Sequence, residues 1–267
     1  MLRPGALGDT LLAVPALRAL RARFGALTLA AHGGAARLLA SVGEVDEGLA
    51  FDDPRLAWVF QSAESAPTES VAAWLNPAQA PGLATALLVA PSRPSGEQHC
   101  AEYLLQTLVP LGCSQVLDQR PLAIAPIVTD EVLIHPGSGS AAKNWPAARF
   151  AELITTVDAP VRLIVGEADV AAAEAVERSL GRTLPRLEQP PLAELAQRLA
   201  GCRGYVGNDS GVSHLAGLCG AHTVALFGPT NPAVWRPLGP SVTVFSFDAS
   251  TEQLMHALLG SSEHASD

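Results

Sequence analysis

The chain has 267 residues, 48% of them hydrophobic and 16% charged, which excludes a disordered tail and leaves room for two small domains with buried cores. The formal net charge of -9 excludes a broad nucleic-acid surface, because a phosphate backbone demands clustered Lys and Arg; a small anionic ligand needs only one or two cations and a helix N-terminus. Four cysteines without CxxC spacing read as free thiols, His pairs at metal-binding spacing are absent, and no apolar run reaches the roughly 18 residues of a membrane span.

In chain order, Thr10 to Phe24 has helical apolar spacing, with Pro15 expected to kink it or to sit in its first turns. Leu27 to His32 reads as a short strand, Gly33 to Val42 as a helix of small residues, and Val45 to Phe51 as a strand. The segments Leu56 to Ser62 and Val71 to Leu75 are ambiguous. Thr85 to Ala90 is a buried strand, and Glu97 to Leu111 an amphipathic helix closed by Gly112. Pro121 and Pro126 punctuate the chain and mark the expected boundary, giving domains of residues 1–125 and 126–267.

Beyond that boundary, Glu131 to His135 is a strand followed by a Gly/Ser loop, and Pro146 to Val157 a helix with Pro at its first position. Strand 161–165, helices 170–180 and 192–199, strand 204–207, helix 213–219, strands 223–227 and 242–247 and a last helix, 252–259, complete the series. That last helix is expected to pack back on the first domain, and the small polar tail after Gly260 to fray. Alternation of strand and helix means parallel sheets covered by helices in right-handed crossovers.

Three motifs carry chemistry. GALGDTLLAVPALRAL, from Gly5, is a Gly-rich turn opening a helix, with Asp9 near its start. Asp9 reads either as a helix cap or as a carboxylate that accepts a proton at a ligand crevice. IHPGSGSAAKNWPAARF, from Ile134, is strand, loop and helix. Ser138, Gly139 and Ser140 expose N–H and hydroxyl donors, and Lys143 adds a mobile charge, a combination suited to a diphosphate. Sixteen of the 17 basic residues are Arg, and Lys143 is the single Lys. In YVGNDSGVSHLAGLCGAHTVALFGPTNPAVWRPLG, from Tyr205, Asp209, Ser210 and Gly211 stand at a helix entrance, with His214 in the first turn as core residue or phosphate contact. Gly137, Gly139 and Ala142 also match the GxGxxA dinucleotide fingerprint, with Glu167 as its acidic partner, whereas the P-loop pattern fails around Lys143.

With those motifs in order along nearly the whole chain, the sequence resembles glycosyltransferase family 9, the heptosyltransferases; residues 52–94 match loosely. The resemblance implies an α/β fold of the GT-B kind, two Rossmann-like domains with parallel sheets facing a central cleft, acceptor-side first and donor-binding second. It implies an inverting, metal-independent transfer of a sugar, heptose, from a nucleotide-diphosphate donor, ADP-heptose, to a glycan or lipopolysaccharide-core acceptor, with no separate cofactor. Asp9 would be the general base; Ser138, Gly139, Ser140 and Lys143 would hold the diphosphate; Asp209, Ser210, Gly211 and His214 would line the donor pocket; Glu167 would touch the ribose. Family members open with an apolar strand before the Gly-rich turn. Here only Met1 and Leu2 precede Arg3, so that strand is expected to be missing or cut very short.

The expected partners are a nucleotide-diphosphate sugar and a glycan or lipid-linked saccharide, with no nucleic acid. The expected place is the cytoplasm, with at most peripheral contact at the inner face of the membrane. Competing readings are a catalytically degenerate nucleotide-sugar-binding protein, a sugar-nucleotide epimerase of the same fold, and a nicotinamide-dependent oxidoreductase using the GxGxxA segment.

Overall fold

The structure, a computed structural model, describes residues 1–61, 70–76, 78 and 80–259. Ser62 and the polar tail after Gly260 lie outside the described residues. The chain divides into two compact units, Met1–Asp118 and Gln119–Asp267.

In the first unit, the expected helix from Thr10 to Phe24 is two helices, α1 (Leu7–Leu11) and α2 (Val14–Phe24). Pro15 explains the break. It has no N–H to give the carbonyl of Leu11, and its ring crowds that carbonyl, so the chain turns once before α2 begins. The Ala13 N–H reaches the Thr10 carbonyl at 3.1 Å, and regular bonding resumes from Leu17 to Ala13 at 2.9 Å. Then follow β1 (Thr28–Ala31), α3 (Gly33–Ser41), β2 (Glu47–Ala50), a 3-10 helix (Pro54–Phe60), β3 (Ala72–Trp74), a 3-10 turn (Pro81–Leu83), β4 (Leu88–Ala90) and α4 (Cys100–Thr107). The helix expected to run to Leu111 stops at Thr107 and continues as a 3-10 turn, Val109–Leu111, where Pro110 cannot extend the α ladder; Gly112 closes it at φ +69°.

β1 pairs with β2 and β3 with β4, all parallel. Leu2 joins the two pairs, bridging Ala30 of β1 on one side and Ala73 of β3 on the other. Met1–Arg3 therefore takes the central place, in the order β2, β1, Met1–Arg3, β3, β4. Four backbone amide hydrogen bonds hold it, Leu2 N–H to Ala72, Trp74 N–H to Leu2, Arg3 N–H to Ala30 and Ala30 N–H to Met1, at 2.8–3.0 Å, and the Met1 amino group adds a fifth to the Thr28 carbonyl at 2.8 Å. Leu2, Leu49, Val59, Ala73 and Leu83 form a small core around it. On α2, buried Arg18 grips Glu44 with two nitrogens, at 2.6 and 3.0 Å, and Asp118 with a third, at 3.1 Å.

The second unit runs β5 (Val132–His135), a 3-10 turn (Ala141–Lys143), α5 (Ala147–Thr156), β6 (Val161–Val165), a 3-10 turn (Glu167–Asp169), α6 (Val170–Leu180), β7 (Arg186–Glu188), α7 (Leu192–Gly201), β8 (Gly204–Asn208), α8 (Gly211–Leu218), β9 (Thr223–Phe227), α9 (Pro232–Trp235), β10 (Val242–Ser246) and α10 (Thr251–Leu259). Its six strands are all parallel, in the order β7, β6, β5, β8, β9, β10. β5, β8 and β9 are buried at every position, as a parallel sheet covered on both faces requires. Pro146 caps α5 one residue before its first position. Ile134, Trp145, Phe150, Leu163, Val206 and Leu254 are among the core residues, and α10 packs on α5, β8 and β9. No helix among the described residues is long and apolar enough to cross a membrane.

Candidate functional site

In the second unit, β5 through β7 progress to one side of β5 and β8 through β10 to the other. The reversal lies between β5 and β8. In an open parallel sheet the loops leaving the carboxyl ends of two such strands diverge, and ligands bind in the crevice they leave. The loops after His135 and Asn208 are those loops, and they carry six of the nine donor-side residues singled out in the sequence, with Gly211 and His214 following in the first turn of α8.

Asn208 fixes them to each other. It is wholly buried; its amide nitrogen donates to the Pro136 carbonyl at 2.8 Å and the Gly137 carbonyl at 3.2 Å, and its oxygen accepts the Trp145 N–H at 2.8 Å. Lys143 Nζ lies 2.8 Å from Asp209 Oδ2, and the Thr230 hydroxyl donates to the same oxygen at 2.8 Å. The lysine is one-third exposed (32%) while the carboxylate is nearly covered (8%), so the cation presents the accessible face of the pair. Ser210 caps α8, its hydroxyl accepting the Ser213 N–H at 3.4 Å, and leaves the first N–H groups of the helix open beside it. His214 is buried in the first turn of α8.

The Gly/Ser loop divides its labour. The Ser138 hydroxyl lies 2.7 Å from both the Ser140 carbonyl and the Asn144 side-chain oxygen, so Ser138 closes the turn on itself. Gly139 and Ser140 are exposed. Glu167 is exposed in the turn after β6. The dinucleotide fingerprint lacks its structural context: the helix it should open starts only at Ala147, behind a 3-10 turn and Pro146, and a Cβ on Gly139 would meet nothing within 4 Å.

A buried polar chain that the sequence did not announce runs beneath this loop. His135 Nε2 lies 2.9 Å from Asp169 Oδ2, and His135 Nδ1 lies 3.2 Å from Ser210 Oγ. Asp169 also accepts the Gly166 N–H at 2.9 Å. Burial pushes its carboxyl up, but the hydrogen bond and charge of His135 and the Gly166 amide hold it below the ordinary carboxylate range. Gly137 has no room for a side chain, since a Cβ there would run into the Asp169 carboxylate. Asn208 sits in a motif already quoted and could have been suspected. So do His135 and Thr230; Asp169 lies in no quoted motif, and only the pairing of β5 with β6 brings it to His135.

In the first unit, Asp9 stands in α1 behind the Met1–Arg3 strand. Its Oδ2 accepts the Ala6 N–H at 3.0 Å, as a helix-capping carboxylate does, while Oδ1 faces buried Arg3 at 3.4 Å. Its side chain remains 29% exposed. Gly5 is required here twice over: φ is +140°, and a Cβ would strike the Asp9 side chain. Both uses of Asp9 weighed from the sequence, cap and accessible carboxylate, are thus open to one group.

The family model for glycosyltransferase family 9 (heptosyltransferase) matches residues 108–258. Lipopolysaccharide heptosyltransferase 1 of Pseudomonas aeruginosa is 35% identical over 131 residues, 47% of this chain and 36% of that protein. Lipooligosaccharide heptosyltransferase 2 of Haemophilus influenzae is 31% identical over 111 residues, 39% of this chain and 32% of that one. The matched stretch thus spans about a third of these relatives' length. Among solved structures, the E. coli heptosyltransferase WaaC with ADP superposes with a TM-score of 0.73 at 18% identity, covering 96% of this chain and 97% of that one. A family 9 glycosyltransferase from Veillonella parvula superposes at 0.77 and 17%, covering 96% and 94%. These likenesses establish the fold, α/β with parallel sheets, of the GT-B kind.

Proposed function

The chain belongs to glycosyltransferase family 9, and from that premise we propose that it is an inverting glycosyltransferase, acting in the cytoplasm, that moves heptose from ADP-heptose to a saccharide of a lipopolysaccharide core. The second unit binds the donor and the first presents the acceptor. The observation that supports this most is the Lys143–Asp209–Ser210 cluster at the carboxyl ends of β5 and β8, where the sheet reverses direction.

The chemistry asks one thing of each unit. Asp9 takes the proton of the acceptor hydroxyl as its oxygen forms a bond to the anomeric carbon. The bond from that carbon to the diphosphate breaks on the opposite face, configuration inverts, and ADP leaves with the electron pair. The negative charge that builds on the departing phosphate meets the Lys143 ammonium and the open amides of α8. Ser140, Gly139 and Gly211 supply donors without bulk, Asp209 holds Lys143 in place, Ser138 and His214 shape the walls, and Glu167 reaches the ribose.

Calorimetric titration with ADP, UDP, GDP and NAD tests the donor site. ADP is expected to bind selectively, and Lys143→Ala to weaken it about 10- to 100-fold, the worth of one charge-assisted hydrogen bond of about 1.5–3 kcal/mol. Binding of NAD alone, or of no nucleotide, would overturn the assignment.

A further inference from the structure

We propose that Asp169 and His135 are positioning residues that set which way the Ser210 hydroxyl points its proton, so that a nucleoside diphosphate arriving at the entrance of α8 makes His135 take up a proton. The proposal rests on the donor-site reading above and concerns residues that reading does not use.

The polarity of the chain follows from what each atom can give. The Asp169 carboxylate can only accept, so His135 Nε2, 2.9 Å away, carries a hydrogen. The protonation state of His135 is then decided at Nδ1, which faces Ser210 Oγ at 3.2 Å. With neutral His135, Nδ1 is a lone pair and the Ser210 hydroxyl donates its single proton to it. Ser210 then shows only lone pairs, one of them already taken by the Ser213 N–H. A phosphate oxygen would meet electron density. With the imidazolium, Nδ1–H donates to Ser210 instead, and the Ser210 proton is released toward the phosphate. The ligand therefore binds the protonated form better, and linkage requires proton uptake on binding.

Ser213 cannot replace His135 as the source of that proton. Its own hydroxyl donates to the Asn208 carbonyl at 2.5 Å, and it lies 2.9 Å from the Tyr205 hydroxyl and 3.5 Å from Ser210 Oγ. The charged and titratable groups on the elements around His135 are Asp169, Tyr205, whose phenol burial pushes up and keeps neutral, His214 on α8, the Lys143–Asp209 pair next to Ser210, and Arg162 of β6, which is paired with Glu131 just before β5. Asp169 is the carboxylate in direct contact, and it is held from three sides: by His135, by the Gly166 amide and by the missing side chain of Gly137. A carboxylate pinned in this way stabilises an imidazolium at a fixed place.

The test uses ADP as probe on the whole protein. Calorimetry near pH 7.5 in two buffers of different ionisation enthalpy counts protons, and 15N NMR of wild-type protein reads His135 directly. The expected result is uptake of up to one proton per ADP, with the His135 Nδ1 signal moving from lone-pair to N–H character. Affinity should then fall by up to about tenfold per pH unit as pH rises. Asp169→Asn, which keeps the shape and removes the charge, should still bind ADP but without proton uptake and with a flatter pH profile. ADP binding to wild type with no proton uptake and an unchanged Nδ1 signal would overturn this inference and leave the donor site standing. Absence of ADP binding would remove both. The NMR arm decides the matter even where Asp169→Asn does not fold.

Discussion

The two units solve the same topological problem with unequal means. Read from its first strand, each has the order 3-2-1-4-5, with a sixth strand in the second unit. In the second unit the central strand, β5, pairs at four positions with β8 and three with β6. In the first, the central strand is Leu2 with one neighbour on each side, one bridge to β1 and one to β3. The second core includes Trp145 and Phe150 stacked edge to face, among fifteen other buried residues; the cluster around Leu2 in the first consists of Leu, Val and Ala and sits beside a cavity of about 560 Å³ lined by Leu20, Phe24, Leu49 and Leu56. The difference teaches that topology survives on very few ladder bonds when the flanking strands are in register, and it predicts that the second unit is the more stable of the two. A net backbone hydrogen bond is worth about 1 kcal/mol, so four of them are a thin central strand.

The largest way to break the comparison is through Trp74 of β3, wholly buried, with its indole N–H on the Thr107 hydroxyl at 2.9 Å. Trp74→Ala should cost about 3–5 kcal/mol of stability, seen as a low-temperature transition by calorimetry, while ADP still protects the second unit. A single transition that moves as a whole would mean that the two units unfold together. The next largest separates binding from chemistry. Asp9→Asn keeps an oxygen for the Ala6 amide but cannot take a proton, so turnover should fall about 10²- to 10⁴-fold with ADP affinity unchanged. Equal loss in both would make Asp9 structural.

A finer probe is amide exchange. The Leu2, Arg3 and Trp74 amides should exchange faster than those of Ile134 and Val206, by about 10- to 100-fold if the first unit opens 1.5–3 kcal/mol more easily. The smallest effect is acidic. Hydrogen bonds from Arg186 and Arg162 hold Glu177 and Glu131 of the second unit below the ordinary carboxylate value of 4.5. These carboxyls favour folding above about pH 4.5, and that contribution fades as pH falls through their lowered values. Glu177→Gln should therefore flatten the acid limb of the second unit by less than about 1 kcal/mol, measured as urea midpoint against pH.

Much of this was legible in the sequence, for identifiable reasons. The strands expected over Glu131 to His135 and Thr223 to Phe227 are short, largely apolar runs within an alternating series, and both are buried parallel strands, the first from Val132. β7 was missed because it is three residues long, two of them charged, and sits at the sheet edge where pattern is weakest. β3 stayed ambiguous since Ala72–Trp74 is too short for a period. Over Thr10 to Phe24 the expected kink or first-turn place of Pro15 holds, since Pro15 sits in the first turn of α2; the apolar spacing, which continues across the break, did not show that a separate helix, α1, precedes it. At the site, contiguous motifs placed Lys143, Asp209 and Ser210 on neighbouring loops. Local motifs could not show that His135 touches Asp169, 34 residues on, because that contact exists only once β5 and β6 lie side by side.

Asn208 has a consequence for how such a protein can change over generations. One amide grips the chain at Gly137 and again at Trp145, so the intervening loop is anchored at both ends by the same side chain. An insertion there cannot lengthen the span between the anchors. It has to swell outward at exposed Gly139 and Ser140, or else break a fully buried set of bonds. Change at this loop is therefore open to substitution, and to growth only outward at Gly139 and Ser140. Asn208→Asp would itself be no neutral step, since a carboxylate has no hydrogen to offer the two carbonyls it would face.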